Sequence, residues 1–173
     1  ELIQARVTAI INGEYNTESE PLRQWGRQEN GDLIKVDQVH FCDSEIAKLI
    51  RDPILAGWAS AITDSDTLQV WATHLFYKPH GSEAVANVGW HTDRQYWPFW
   101  DGEVFTIWVA LTESSAMTGP LRFLANSHQW SPLNTGDALN TDIDAQLAKI
   151  SSTVGVDKRE ISRALPAGGI SFH

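Results

Sequence analysis

The spacing of apolar residues changes partway along the chain. In the first sixty or so residues the spacing is helical and predicts three helices, over 2–11, 43–51 and 52–62. A capping Asp or Ser opens the second, and Asp52 caps the third with Pro53 at its first position, where proline is tolerated. The polar, turn-rich stretch 12–32 predicts a loop.

From residue 68 onwards, the spacing of apolar residues becomes typical of β-strands. Segment 68–78 alternates, and the face we expect to point inwards carries Leu68, Val70, Ala72, His74 and Phe76. A continuous apolar run over 104–111 predicts a strand buried on both sides. Shorter strands are predicted over 120–125 and after the Gly turn of 166–173, with helices over 142–151 and 157–165. This order indicates a mostly β, α+β chain with a sandwich or barrel core.

Composition narrows the class of protein. A chain of 173 residues with 42% hydrophobic residues is expected to form a single domain. A net charge of −9 argues against a nucleic-acid or anionic-membrane partner, and no apolar run is long enough to span a membrane. The single cysteine, Cys42, excludes an internal disulfide, suits a small buried residue and favours a reducing, cytoplasmic setting.

Candidate chemistry is concentrated in GWHTDRQYW, residues 89–97. Residues two apart in an extended segment point the same way, so His91 and Asp93 share a side. An imidazole and a carboxylate supply two members of a 2-His-1-carboxylate iron site, although they could equally be a polar pair at a sheet edge. Gly89 permits close backbone approach or a bend. The surrounding aromatic residues suit either a concave pocket or core packing: Trp90, Tyr96, Trp97, Phe99 and Trp100.

Four segments in order, NVGWHTDRQYWPFW, TIWVALTE, GPLRFLANSH and LPAGGISFH, resemble the phytanoyl-CoA dioxygenase family. The similarity runs from about Lys35 to His173. It implies a double-stranded β-helix, or jelly-roll barrel, with flanking helices that are mainly N-terminal. It also implies iron(II), 2-oxoglutarate and O₂ as cofactor and cosubstrates, with hydroxylation of a small organic substrate and release of succinate and CO₂. Asn126 stands where the family often has glycine, and Asn also accepts a left-handed backbone.

The resemblance assigns roles residue by residue. His91 and Asp93 correspond to the first two iron ligands, and Thr92 between them to a cosubstrate contact. Trp108 corresponds to a tryptophan lining the 2-oxoglutarate pocket, which is compatible with a buried barrel tryptophan. Asp93 also favours hydroxylation over halogenation, because related halogenases carry a small residue there to admit chloride.

Two further cosubstrate contacts are implied, each with an ordinary alternative. His74 corresponds to a cosubstrate-contacting position, or is a hydrogen-bonded core histidine. Lys35 corresponds to a lysine near the dicarboxylate, or is a solvated surface lysine. Among the other histidines, His128 resembles a structural histidine of its turn, and His40 and His80 are expected in loops or at the surface. Arg94 and Gln95 could face a substrate or lie on an exposed edge.

The family's third ligand, a distal histidine, and its cosubstrate-binding arginine are expected a few residues beyond His173. His173 itself is then the residue upstream of the ligand. We therefore expect residues 1–173 to be one oxygenase domain that lacks its C-terminal strands, or else an inactive relative. Two alternatives stay open: a cupin-type metalloenzyme that works without 2-oxoglutarate, and a non-catalytic binding relative. Oligomeric state and substrate identity are not predicted.

Overall fold

The computed structural model describes residues 1–26, 33–79, 87–102, 104–136, 142–155 and 159–173. Predicted loop residues 27–32 and His80 therefore lie outside the described residues. The chain divides into two compact units, Glu1–Ala86 and Asn87–His173. The single-domain expectation stays a prediction. Within the described parts, no helix is both long and apolar enough to cross a membrane.

The N-terminal unit contains three helices and one sheet. The helices are α1, α2 and α3, at Leu2–Ile11, Ser44–Leu49 and Pro53–Thr63, which confirms all three predictions. The antiparallel sheet has the order β1-β2-β3, formed by Arg23–Trp25, Ile34–Asp37 and His74–Tyr77. Strand β1 falls inside the predicted loop, because its three residues pair with β2. A short 3₁₀ turn follows β2 at Val39–Phe41.

Alternate residues of β2 and β3 point to one face of the sheet, and that face is buried. Ile34 and Val36 on β2 are buried, and so is Leu75, which pairs with Val36 on β3. The remaining buried apolar side chains of this unit come from its helices and connections: Ile10, Val39, Cys42, Ile46, Leu55 and Ala59. The expectation that Cys42 is a small buried residue is confirmed, since it is fully inaccessible to solvent.

The predicted inward face of segment 68–78 is wrong. The strand is confined to His74–Tyr77, and Leu75 is its buried residue, while His74 and Phe76 lie on the exposed face. Leu68 and Val70 are exposed as well. Alternation shows which residues share a face, but the apolar residues of the neighbouring strand decide which face is buried.

The C-terminal unit contains two small antiparallel pairs and one helix. Ile107–Val109, β4, pairs with Ile170–Phe172, β7. Arg122–Leu124, β5, pairs with Glu160–Ser162, β6, and Ile143–Val154 forms α4. The helix predicted over 142–151 and the strands predicted over 120–125 and after 166 are confirmed.

The helix predicted over 157–165 is wrong. Residues 160–162 form a strand, and Leu165 makes a β-bridge with Ser114. Glu160 also accepts a hydrogen bond of 2.9 Å from Nε of Arg122 on the partner strand. These cross-strand contacts outweigh a helical spacing that spans only nine residues, because short helices gain little from propensity alone.

The apolar run 104–111 is a shorter and less buried strand than predicted. Only Ile107–Val109 is a strand, and its three side chains are half-buried. Ala110 is buried, whereas Val104 is exposed. The α+β class is confirmed, with several small antiparallel sheets among the described residues. The jelly-roll arrangement rests on the family resemblance.

Two turns have the backbone conformations that the sequence indicates. Asn126 has a φ of 63°, which confirms that asparagine takes the left-handed conformation where glycine is usual. Gly168 has a φ of 84° in the turn that leads into β7, where glycine has no steric penalty.

Asp43 joins two helices through one buried carboxylate. Its side chain is fully buried, and Oδ1 accepts hydrogen bonds of 3.0 Å from the backbone N–H groups of Glu45 and Ile46 at the start of α2. Its other oxygen accepts a bond of 2.6 Å from Nε of Arg6 on α1. The side chain is therefore both a helix cap and half of an ion pair.

We predict that Asp43→Ala lowers the free energy of unfolding by about 3 kcal/mol or more, because it leaves the Arg6 charge and two helix N–H groups without their partner. Asp52→Ala is the control, since Asp52 caps α3 through a single bond of 2.8 Å to the N–H of Ile54. That variant is expected to lose about 1 kcal/mol. Urea unfolding measures both, and equal losses would contradict the prediction.

Candidate metal centre

His91 and Asp93 lie side by side where an irregular segment meets a 3₁₀ turn. Thr92 is extended, with φ −114° and ψ 137°, and Asp93–Tyr96 forms the turn. The Nε2 atom of His91 is 3.3 Å from Oδ1 of Asp93, with 28% and 29% of the two side chains exposed. The two side chains thus lie on one side of the segment, as their spacing predicts.

In each of the two side chains, the polar atom that faces away from the other residue is hydrogen-bonded to a neighbouring group. Nδ1 of His91 lies 2.7 Å from the carbonyl oxygen of Gly89. Because a carbonyl can only accept, Nδ1 carries the hydrogen and Nε2 is the nitrogen available to a metal. Oδ2 of Asp93 accepts a hydrogen bond from the hydroxyl of Thr106. The atoms left facing each other are Nε2 and Oδ1.

The separation of these two atoms fits a shared metal ion. Two ligands at right angles on an octahedral ion, each bonded at about 2.1 Å, are about 3.0 Å apart. The observed 3.3 Å is close to that value. A histidine nitrogen with a carboxylate oxygen is also the donor set of non-haem iron(II) sites. The residues present therefore fit two of the positions of such a site.

Electrostatics within the pair favour opposite charges. The hydrogen bond with Asp93 raises the pKa of His91, against the effect of burial and with the help of the Gly89 carbonyl. Burial alone would raise the pKa of Asp93, but hydrogen bonds from His91 and Thr106 lower it overall. The carboxylate thus attracts a positive charge between Nε2 and Oδ1. A divalent cation there would take the place of the proton on Nε2.

His173 lies beside the pair without completing a ligand set. Its backbone N–H donates to the carbonyl of Thr106 at 3.1 Å, and its ring meets Phe123 edge-on at 5.1 Å. Burial lowers the pKa of His173, Asp93 opposes that shift and His91 reinforces it. Across the described ranges, no three His, Cys, Asp or Glu side chains have the spacing of a metal site. The assignment of His173 as the residue upstream of the third ligand stays a prediction.

The aromatic residues that follow the pair are largely exposed. Tyr96 meets the His91 ring at 5.8 Å between centroids. Phe99 and Trp100 are exposed too, so core packing does not account for them. A small cavity of about 20 Å³ is lined by Arg94, Trp97, Trp100, Gly102 and Val104. These side chains form an apolar surface with one cation next to the candidate ligands.

Trp108 and Thr92 occupy different surroundings. Trp108 is half-buried on β4, opposite Ser171 of β7. It is therefore less buried than the barrel tryptophan with which its expected role is compatible. Thr92 is exposed between the two candidate ligands. The cosubstrate roles of both residues stay predictions.

In the N-terminal unit, Asp37 brings Lys35 and His74 together. Oδ1 of Asp37 is 2.7 Å from Nζ of Lys35 and 2.7 Å from Nδ1 of His74. Oδ2 accepts a bond of 3.0 Å from the indole N–H of Trp25. Partial burial opposes the shift, but the bonds from Lys35, Trp25 and His74 lower the pKa of Asp37. Lys35 is thus ion-paired and His74 lies outside the core. Their proposed cosubstrate contacts stay predictions.

The other histidines differ in their surroundings. His128 is exposed in the 3₁₀ turn Ser127–Gln129. His40 is half-buried in the short turn Val39–Phe41, with Nδ1 2.8 Å from the hydroxyl of Thr73. Gln95 donates to the carbonyl of Gly136 at 3.0 Å, so it is bonded to the protein itself.

Sequence reasoning missed Thr106, Asp37 and Gln146. The contacts of Thr106 with Asp93 and of Gln146 with Trp90 span 13 and 56 residues of sequence, so no local pattern indicates them. Gly89 gave the one usable signal, because a glycine beside a candidate ligand indicates close backbone approach. That expectation is confirmed, since a Cβ on Gly89 would lie 2.4 Å from Oε1 of Gln146.

We predict that Gly89→Ala lowers the free energy of unfolding by about 1–3 kcal/mol, because its methyl group would push the buried Gln146 amide away from its hydrogen bonds to Trp90 and Thr135. The φ of Gly89 lies outside the left-handed range, so the cost is steric and does not arise from the backbone. The control is Gly57→Ala on the exposed side of α3, where a Cβ would meet nothing within 4 Å. It should be neutral or stabilising by up to about 1 kcal/mol. Thermal and urea unfolding compare them, and a Gly89→Ala protein as stable as wild type refutes the clash.

Comparisons with known proteins agree with the sequence resemblance. The family model for phytanoyl-CoA dioxygenase matches residues 3–162. The ectoine dioxygenase of Streptomyces coelicolor is 28% identical over 141 residues, which cover 73% of this chain and 46% of that protein. The chain thus spans about half the length of this curated relative. Among solved structures, none matches the chain significantly.

Proposed function

The chain belongs to the phytanoyl-CoA dioxygenase family, and we propose that it acts as an iron(II)- and 2-oxoglutarate-dependent oxygenase that hydroxylates a small organic molecule. The observation that carries this proposal is the His91–Asp93 pair, with Nε2 and Oδ1 3.3 Å apart. Iron(II) with 2-oxoglutarate supplies the O₂ chemistry, releasing succinate and CO₂ as the substrate is hydroxylated.

In this proposal the chain's own residues hold and orient the metal. Nε2 of His91 and Oδ1 of Asp93 would be two of its ligands, and the family resemblance implies a distal histidine as the third. The Gly89 carbonyl fixes the tautomer of His91, and the Thr106 hydroxyl fixes the rotation of the Asp93 carboxylate.

Trp108 and Thr92 are proposed to contact 2-oxoglutarate, together with Lys35 and His74. The short antiparallel sheets are proposed to belong to a double-stranded β-helix. Asp93 supports hydroxylation, since a carboxylate ligand there would leave no room for the chloride that halogenation needs. The family match supports this chemistry over a cupin-type reaction without 2-oxoglutarate.

We predict that adding 2-oxoglutarate to the anaerobic iron(II) protein produces a visible charge-transfer absorption band. Trp108→Ala should require more cosubstrate for half of the signal, because a wall of the proposed pocket is removed. The variant should also be less stable, though by less than the roughly 3 kcal/mol of a fully buried aromatic, because Trp108 is half-buried. A protein that binds iron(II) but shows no band would favour the cupin-type alternative. A protein that binds neither iron(II) nor 2-oxoglutarate would favour a non-catalytic relative.

We predict that His91→Ala and Asp93→Ala each lower iron-dependent succinate formation by at least about 100-fold, since losing a ligand should exceed the 10–100-fold effect of losing a ligand's hydrogen-bond partner. Circular dichroism should show that both variants remain folded. The matched control is His128→Ala, whose exposed side chain lies in the turn Ser127–Gln129. Unchanged turnover in either ligand variant would show that the pair does not bind the iron.

A further inference from the structure

Gln146 is a buried polar side chain on the inner face of α4. It is 5% exposed, and its helix neighbours Leu147 and Ile150 form an apolar cluster with Leu124. Trp90 packs against the same cluster. A primary amide buried in such surroundings is costly unless both its oxygen and its nitrogen are hydrogen-bonded.

The carboxamide of Gln146 is bonded at both ends. Oε1 accepts a hydrogen bond of 3.0 Å from the backbone N–H of Trp90. Nε2 donates to the carbonyl of Thr135 at 3.4 Å. The same Oε1 lies so close to Gly89 that a Cβ there would be 2.4 Å away. The amide therefore lies directly against the backbone of the two residues that precede His91.

A second contact holds the other end of the same segment. Gln95, two residues after Asp93, accepts a bond of 3.0 Å from the hydroxyl of Thr135. Its amide nitrogen donates to the carbonyl of Gly136 at 3.0 Å. Residues 135–136 thus contact both Gln146 and Gln95. The backbone is fixed at residue 90 and the side chain at residue 95, with His91 and Asp93 between them.

We propose that Gln146 is a positioning residue for the metal ligand His91. By holding Gly89 and Trp90, it fixes the Gly89 carbonyl that binds Nδ1 of His91 and therefore the direction of Nε2. The inference rests on the proposed metal site. It assigns α4 the role of supporting that site, in addition to its packing in the core.

The test compares two variants of neighbouring residues on α4. Gln146→Met keeps the length of the side chain and removes both hydrogen bonds. Leu147→Ala leaves those bonds in place and removes buried apolar volume next to them. A purely structural Gln146 would affect metal binding only as far as it affects folding, so Leu147→Ala serves as the matched stability control.

Two measurements are made on the full chain, purified without metal. Co²⁺ is titrated as the probe ion by its visible absorption, and exchange of the Trp90 amide hydrogen is followed by NMR before metal is added. Gln146→Met should raise the Kd for Co²⁺ by about 10-fold or more and speed exchange at Trp90. Leu147→Ala should lower the unfolding midpoint and leave the Kd unchanged.

Equal increases in Kd in both variants would overturn the positioning role, as would faster exchange at Trp90 with an unchanged Kd. Should Gln146→Met fail to fold, Gln146→Asn replaces it, because it keeps the amide but is one methylene too short to reach both Trp90 and Thr135. It should also raise the Kd for Co²⁺ and speed exchange at Trp90, and an unchanged Kd would overturn the positioning role. Wild-type protein that binds Co²⁺ no better than His91→Ala would overturn the metal site itself. Exchange at Trp90 would then still decide whether Gln146 holds the segment.

Discussion

The chemistry of the C-terminal unit depends on the orientation of one imidazole against one carboxylate. Attraction between His91 and Asp93 brings the two together, but it does not select which nitrogen faces which oxygen. The Gly89 carbonyl makes that selection for the imidazole, and the Thr106 hydroxyl makes it for the carboxylate. Thr106 is itself paired with His173 through the backbone, next to the pairing of β4 with β7. The β4–β7 pairing therefore bears on the orientation of the Asp93 carboxylate through Thr106, although neither candidate ligand lies in a strand.

Features decided within about four residues of sequence were predictable. The capping residues Asp43 and Asp52 place the starts of two helices, because their carboxylates reach backbone N–H groups only two or three residues away. The shared side of His91 and Asp93 follows from their spacing of two. The left-handed turn at Asn126 follows from the short polar side chain of asparagine. In each case the sequence neighbours supply all the atoms that the interaction needs.

Features decided by distant partners were not predictable from the pattern. The buried face of β3 depends on Val36, which pairs with Leu75 from 39 residues away in sequence. The strand Glu160–Ser162 depends on its pairing with Arg122–Leu124, which overrides a helical spacing. Gln146 carries no local sign that its amide reaches Trp90. The candidate ligands could be named from the sequence, but most of the residues that orient them could not.

The Asp37 cluster shows how an ion pair bears on the cosubstrate assignment. Lys35 is bonded to Asp37, which also binds His74 and Trp25. This pairing does not remove Lys35 from consideration, because an ammonium has three donors and can bind a second carboxylate. Burial opposes the lowered pKa of Asp37, and the hydrogen bond from Lys35 is the main cause that lowers it, with Trp25 and His74 adding to the effect. In this cluster Asp37 bonds both Lys35 and His74, and a contact of Lys35 with a dicarboxylate stays a proposal.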